Sequence, residues 1–299
     1  MKWVELSVQV HPEAVDAVAN VFQERGTGGV AIEQAVEPHI EGEETARFAG
    51  LPVVRAYLPL NASAAERERD IEQALWHLQA FDLAPVGPVT RREIDEEDWA
   101  NAWKEHFHPL VVGRIVIKPS WRSVAAEPHQ VVVELDPGMA FGTGLHPTTR
   151  LMLDALQPRV TAGTRVLDLG TGSGILAIAA ALLGATAIGL DVSDVAVEVA
   201  RSNVAANGLD DRVSVAHGSI DGAGERRFNL ILANIIASVL IELAPAIADR
   251  LEPGGEVLAS GIIDERLDGV REAFERAGLD IISVEADEDW RLLVARRPG

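Results

Sequence analysis

The stretch Val166-Leu167-Asp168-Leu169-Gly170-Thr171-Gly172-Ser173-Gly174-Ile175-Leu176 is an apolar run that opens through three alternate glycines into a second apolar run. Glycines let a strand turn sharply into a helix and bring backbone N–H groups close to a ligand, so Gly170, Gly172 and Gly174 are candidate cofactor-binding positions. Asp168 precedes the first glycine and joins them as a candidate. The spacing is G-x-G-x-G, whereas the dinucleotide fingerprint is G-x-G-x-x-G, and the departure weighs against a dinucleotide. Asp191 closes the next apolar run, where a carboxylate accepts hydrogen bonds from both hydroxyls of an adenosine ribose and repels a 2′-phosphate. Its structural alternative is a helix N-cap, a duty for which Ser193 and Asp194 are equally well placed. Asn234 follows Leu230-Ile231-Leu232-Ala233, at what would be the carboxyl edge of a sheet, where open α/β folds hold ligands. An amide is expensive to bury unpaired, so this place points to specific hydrogen bonding, with the oxygen able to accept from a proton-bearing substrate nitrogen. The alternative for Asn234 is a cap on a helix beginning near Ser238.

Ahead of the glycine loop, Asp136-Pro137-Gly138-Met139-Ala140-Phe141-Gly142-Thr143-Gly144-Leu145-His146-Pro147-Thr148-Thr149-Arg150 is rich in small and hydroxyl residues and suited to fold over a ligand. Phe141, Thr143 and Thr149 are its candidate cofactor contacts. Thr149 is also placed to cap a helix starting at Arg150 or Leu151. His146 is a candidate proton acceptor, although a lone loop histidine is more often structural. His106 and His108 have no acidic third ligand in a recognisable motif, so no metal is expected.

These residues need elements to position them. Residues 4–10, 53–59 and 86–94 read as strands, with another beginning at 30, while 13–25 and 64–81 read as helices. The order is βαββαβ, compatible with a small ferredoxin-like sandwich. Residues 93–108 are acidic and aromatic, with Trp99, Trp103 and Phe107 four apart, and are expected to form an interdomain linker whose aromatics cover a seam. Strand-like runs at 115–117 and 131–135 introduce a second domain. From there strands at 165–169, 187–191, 213–216, 230–233 and 256–260 alternate with helices at 175–183, 195–207, 238–251 and 265–276, the signature of a parallel, doubly wound sheet. Residues 280–286 and 290–295 form a closing hairpin that would add an antiparallel strand. The division is therefore 1–92, 93–108 and 109–299.

At 299 residues, two domains are the natural expectation. With no cysteine, disulfides, thiolate metal sites and thiol nucleophiles are excluded. The net charge of −20 disfavours direct capture of nucleic acid and favours encounter with a basic partner, although acidic surfaces also serve solubility alone. The longest apolar run is too short to cross a bilayer, and the first ten residues alternate like a strand and unlike a cleavable signal, so a cytoplasmic protein without membrane contact is expected.

Taken together, the motifs resemble the PrmA family, bacterial methyltransferases of large-subunit ribosomal protein eleven. The likeness spans nearly the whole chain and is most specific over 136–150, which follows the pattern D-P-G-x-A-F-G-T-G-x-H-x-T-T, then over Asp168 to Gly174 and at Ala233-Asn234. The resemblance implies a Rossmann-like class I methyltransferase sheet and S-adenosyl-L-methionine as cofactor, with contacts at Thr149, Gly170, Asp191 and Asn234. It also implies a small N-terminal substrate-recognition domain, a flexible linker, and methylation of lysine side chains and an N-terminal α-amino group on that basic ribosomal protein. Asn234 is then the catalytic candidate, positioning the amine. Competing readings are a methyltransferase of another protein or small amine, a nicotinamide oxidoreductase, and a noncatalytic adenosyl-ligand-binding module.

Overall fold

Alternating apolar positions make Lys2–Gln9 (β1) a strand that turns Val4, Leu6 and Val8 to one face. The computed structural model describes residues 2–11, 14–25, 30–33, 51–61, 64–80, 87–95, 109–136 and 146–299. It divides into two units, Met1–Phe107 and His108–Gly299. In the first, β1 is followed by Val15–Arg25 (α1), Val30–Glu33 (β2), Val53–Pro59 (β3), Ala64–Ala80 (α2) and Thr90–Asp95 (β4). The strands form an antiparallel sheet of order β2-β3-β1-β4, with Val18 and Phe22 of α1 and Ile71 and Leu75 of α2 buried in one cluster with Val4, Leu6, Val54 and Leu58. This is the ferredoxin-like arrangement expected. β4 runs on to Asp95, into the start of the expected linker, because its residues pair with β1 as far as Lys2↔Asp95. The aromatic part of that linker, with Trp99, Trp103 and Phe107, lies outside the described residues, as does the glycine turn at 26–29.

The second unit opens with Leu110–Val112 (β5), Ile115–Lys118 (β6) and Val131–Glu134 (β7), a separate three-stranded sheet. β5 was not anticipated, being three residues long and set off only by a turn at Gly113. Pro147–Leu156 (α3) follows, and then the strands Arg165–Leu169 (β8), Thr186–Asp191 (β9), Val213–His217 (β10), Phe228–Asn234 (β11) and Leu251–Ile263 (β12) alternate with Ile175–Leu182 (α4), Asp194–Ala206 (α5), Ala237–Arg250 (α6) and Leu267–Arg276 (α7). Asp280–Asp287 (β13) and Trp290–Arg296 (β14) close the chain.

The seven-stranded sheet has the order β10-β9-β8-β11-β12-β14-β13, with β14 antiparallel to both neighbours and the β10 to β12 pairings parallel. Both faces are covered, so its strands are apolar on both sides. Val166, Leu230 and Leu258 pack with α3, α4 and α5, and Leu167, Ile231 and Val257 with α6 and α7. The chain leaves β8 toward β9 on one side and returns as β11 on the other, so strand order reverses at β8 and opens a crevice at the carboxyl ends of β8 and β11. No helix among the described residues is long and apolar enough to cross a membrane.

Candidate active site

Register brings the site together before any side chain is considered. Leu169 pairs with Leu190 and with Ala233, so the next residue of each strand, Gly170, Asp191 and Asn234, emerges at the same level of the carboxyl edge. The glycine loop is pinned there by Gly170 N and Thr171 N, which both donate to the Leu190 carbonyl at 2.9 and 3.0 Å. Gly170 has φ +68, and a Cβ on it would run into Cγ2 of Ile235, so the segment after β11 lies directly against the loop.

Asp191 is held by two backbone donors, Gly172 N to Oδ2 and Ser193 N to Oδ1, each at 2.9 Å. A carboxylate has about four acceptor sites, so both oxygens keep a lone pair for a ligand hydroxyl. The cap of α5 is Ser193, whose Oγ accepts from Ala196 N, and Asp191 is thus not spent on that duty. Asp168 lies beneath the loop at 1% exposure, facing α4 by the alternation of β8. Its Oδ2 accepts from Thr171 Oγ1 at 2.7 Å and from Ala177 N at 3.2 Å, which braces the loop against the helix. Burial pushes its carboxyl up to about 7, against the pull of those two bonds and with a small addition from Asp191. Its Oδ1 has no hydrogen-bond partner among the described residues.

Across the crevice, Asn234 Nδ2 lies 3.5 Å from Thr149 Oγ1, so two residues far apart in sequence meet. With its amide nitrogen turned to Thr149, the Oδ1 of Asn234 is the atom left to accept from a ligand. Asn234 caps nothing: α6 begins at Ala237 behind Ile236, with no side-chain cap. Thr149 is not the cap of α3 either. That helix begins at Pro147, which has no N–H to leave unsatisfied at the first turn, and His146 is its N-cap, with Nδ1 accepting from Thr148 N at 3.3 Å. Thr149 sits within the first turn, 1% exposed. His146 is half-buried, edge-on to Trp290 at 4.8 Å between ring centroids, and desolvation, then the Arg150 charge, push it down to about 4. A base this weak and engaged as a cap is a poor proton acceptor. Phe141 and Thr143 lie outside the described residues.

Sequence reasoning missed Ile235, which covers Gly170, and Gly261 of β12, which the Ile235 backbone lies against. For Gly261 the sequence carried half a signal: a glycine soon after the apolar run Val257-Leu258-Ala259 marks a bulge or a close backbone approach, but not which backbone it approaches. A cavity of about 510 Å³ lies at the opposite, amino edge of the sheet, lined by Arg165, Arg212, Arg226, Arg227, Asp211 and Glu252 among others. It is not the ligand crevice of an open α/β sheet, and its Arg165 is already paired with Glu252 at 2.6 Å.

A parallel sheet that turns its glycine loop and a second-strand acid into the switch-point crevice, and then closes with an antiparallel strand between β12 and β13, is the architecture of Rossmann-like, S-adenosylmethionine-dependent methyltransferases. The chain is an enzyme of this class. It belongs to the ribosomal protein L11 methyltransferase (PrmA) family, whose model matches residues 2–298. It is 46% identical to the ribosomal protein L11 methyltransferase of Chloroflexus aurantiacus, with 99% of this chain and 98% of that one covered. With the enzyme of the same description from Pelotomaculum thermopropionicum it shares 42% identity, over 99% of each. Among solved structures it is similar to the ribosomal protein L11 methylase of Lactobacillus delbrueckii subsp. bulgaricus, with a TM-score of 0.60 and 32% identity over 64% of this chain and 100% of that one.

Proposed function

We propose that the chain methylates ribosomal protein L11 in the cytoplasm, on lysine side chains and on the N-terminal α-amino group, with 1–92 recognising the protein, 93–108 linking, and 109–299 carrying the chemistry. The observation that supports this most directly is the meeting of Asn234 and Thr149 across the crevice from the glycine loop. S-adenosylmethionine supplies a methyl group already activated by its sulfonium, so no enzyme nucleophile is needed. The residues present fit such a donor: Asp191, oriented by Gly172 N and Ser193 N, takes the ribose hydroxyls, and the Gly170, Gly172 and Gly174 loop offers its backbone to the rest.

Asn234 then does the remaining work of alignment. A free lysine amine has a pKa of about 10.4, and only its neutral form carries the lone pair that attacks carbon. The proton leaves, to water or to another acceptor, before attack. Asn234 Oδ1 would accept from a remaining N–H and so fix the direction of the amine lone pair, and S-adenosylmethionine held by Asp191 and the glycine loop would supply the methyl group that the amine takes up. The test is incubation of the full chain with radiolabelled-methyl S-adenosylmethionine and unmethylated ribosomal proteins, followed by mass spectrometry of every labelled band. Label on L11 at lysine and α-amine positions is expected. Label confined to other proteins, or none, would overturn the reading.

A further inference from the structure

Ile235, the residue after Asn234, is held between two glycines. Its side chain lies against Gly170, as described, and its backbone lies against Gly261 of β12. There β12 carries one extra residue relative to β14: Ala259 pairs with Leu293, and the next pairing is Ile262 with Arg291. The bulge turns Gly261 to φ +80. A Cβ on Gly261 would stand 2.5 Å from the Ile235 carbonyl oxygen, 2.9 Å from its carbonyl carbon and 3.2 Å from its nitrogen. All three are backbone atoms, which have no rotamer to escape into. On the far side of the bulge, Ser260 holds the same segment in place: its carbonyl accepts from Ile235 N at 3.2 Å, and its Oγ donates to the Arg291 carbonyl at 3.0 Å.

From this geometry we infer that Gly261 is a positioning residue for methyl transfer: the bulge lets β12 approach Ile235 closely enough to set where the Asn234 amide stands over the glycine loop. The inference rests on the reading in which Asn234 aligns the amine. A side chain at 261 pushes the Ile235 backbone off β12 and carries Asn234 with it, while the glycine loop stays pinned to β9 by Gly170 N and Thr171 N on the Leu190 carbonyl. Misplacement of an aligning group by about 1 Å costs on the order of 10²-fold in rate. The donor pocket built by Asp191 on β9 is anchored to other strands and is left in place.

Gly278 supplies the comparison. It has φ +82 and nothing within 4 Å of its would-be Cβ, so an alanine there carries the same backbone strain without the contact. In the full chain, Gly261→Ala, Gly278→Ala and Asn234→Ala are compared for kcat and acceptor KM at saturating donor, and for S-adenosylhomocysteine affinity by calorimetry. Gly261→Ala is expected to lose kcat by about 10²-fold with product affinity held within about threefold, and Gly278→Ala to keep kcat within about twofold. Gly261→Asn and Gly278→Asn repeat the pair with a residue that tolerates positive φ, in case the alanine variant at 261 does not fold. If the 261 and 278 variants behave alike, or if neither 261 variant folds while both 278 variants do, Gly261 is not a positioning residue. If Asn234→Ala keeps full kcat, the reading of Asn234 itself fails, whatever Gly261 does.

Discussion

Asp168, buried beneath the glycine loop, and His146, half-buried at the start of α3, are titratable groups that pull the pH dependence of stability in opposite directions. Asp168 is raised by burial from 3.8 to about 7, so over that interval the folded chain holds a proton that the unfolded chain has released. Its contribution is fully present below the unfolded value and is lost as pH rises through about 7. His146 is lowered from 6.5 to about 4, so its contribution is present above 6.5 and is lost as pH falls through about 4. Asp168→Asn keeps an acceptor for Thr171 Oγ1 and Ala177 N and removes the charge. The melting temperature of this variant relative to the parent is therefore expected to rise between about pH 4 and about pH 7 and to level off above, read by calorimetry of the full chain. A constant difference across that range would mean that Asp168 is ionised throughout. The same burial explains why Asp168, a cofactor contact by its motif, supports the glycine loop from below: alternation on β8 turns it toward α4, away from the open edge.

At the scale of elements, the first turn of α3 is where the second unit's C-terminal hairpin meets the crevice. Since Thr148 N donates to His146 Nδ1, the ring proton sits on Nε2, and the neutral ring that its low pKa implies is the form that can cap. Arg150 reaches Asp287 of β13 at 2.8 Å, so cap and ion pair together fix the turn that carries Thr149 toward Asn234. His146→Ala is expected to cost about 1 kcal/mol of capping. For a unit of this size that is a fall in melting temperature of roughly 2–4 °C, with His146→Asn recovering part of it. If asparagine does no better than alanine, packing against Trp290 is what His146 contributes. The cap also shows where sequence reading stopped. The strand bounds 165–169 and the hairpin follow from periodicity, which is a local property, and both are found at or within a residue or so of those bounds. Thr149 looked like a cap because hydroxyls usually are; Pro147 was the better marker of the start, since it tolerates the first helical position and forces extended backbone on the residue before it. β12 outgrew its expected 256–260 because Leu251 pairs with Phe228 and Ile263 with Trp290, partners set by tertiary neighbours. Gly261 is of the same kind, because its spacing from Ile235 exists only once β11 and β12 lie side by side.

For the molecule as a whole, the charge balance is the property with a functional consequence that no single residue carries. A formal net charge of −20 produces a field that attracts a basic protein over about a Debye length, some 8–10 Å at physiological salt. Such attraction acts on encounter more than on the strength of the docked complex, so it appears in kcat/KM and in its salt dependence. On the proposed reading the donor is met by Asp191 and backbone groups already in place, at short range, where salt screens far less. Raising added salt from about 50 to about 500 mM is therefore expected to lower kcat/KM for L11 by roughly 10-fold or more while S-adenosylhomocysteine affinity moves by less than about twofold. Stopped-time labelling against a salt series, with calorimetry of the product in the same buffers, separates the two. A flat kcat/KM would assign the acidic surface to solubility and leave acceptor recognition to uncharged contacts; a parallel loss of product affinity would show that salt acts on the crevice and not on the encounter.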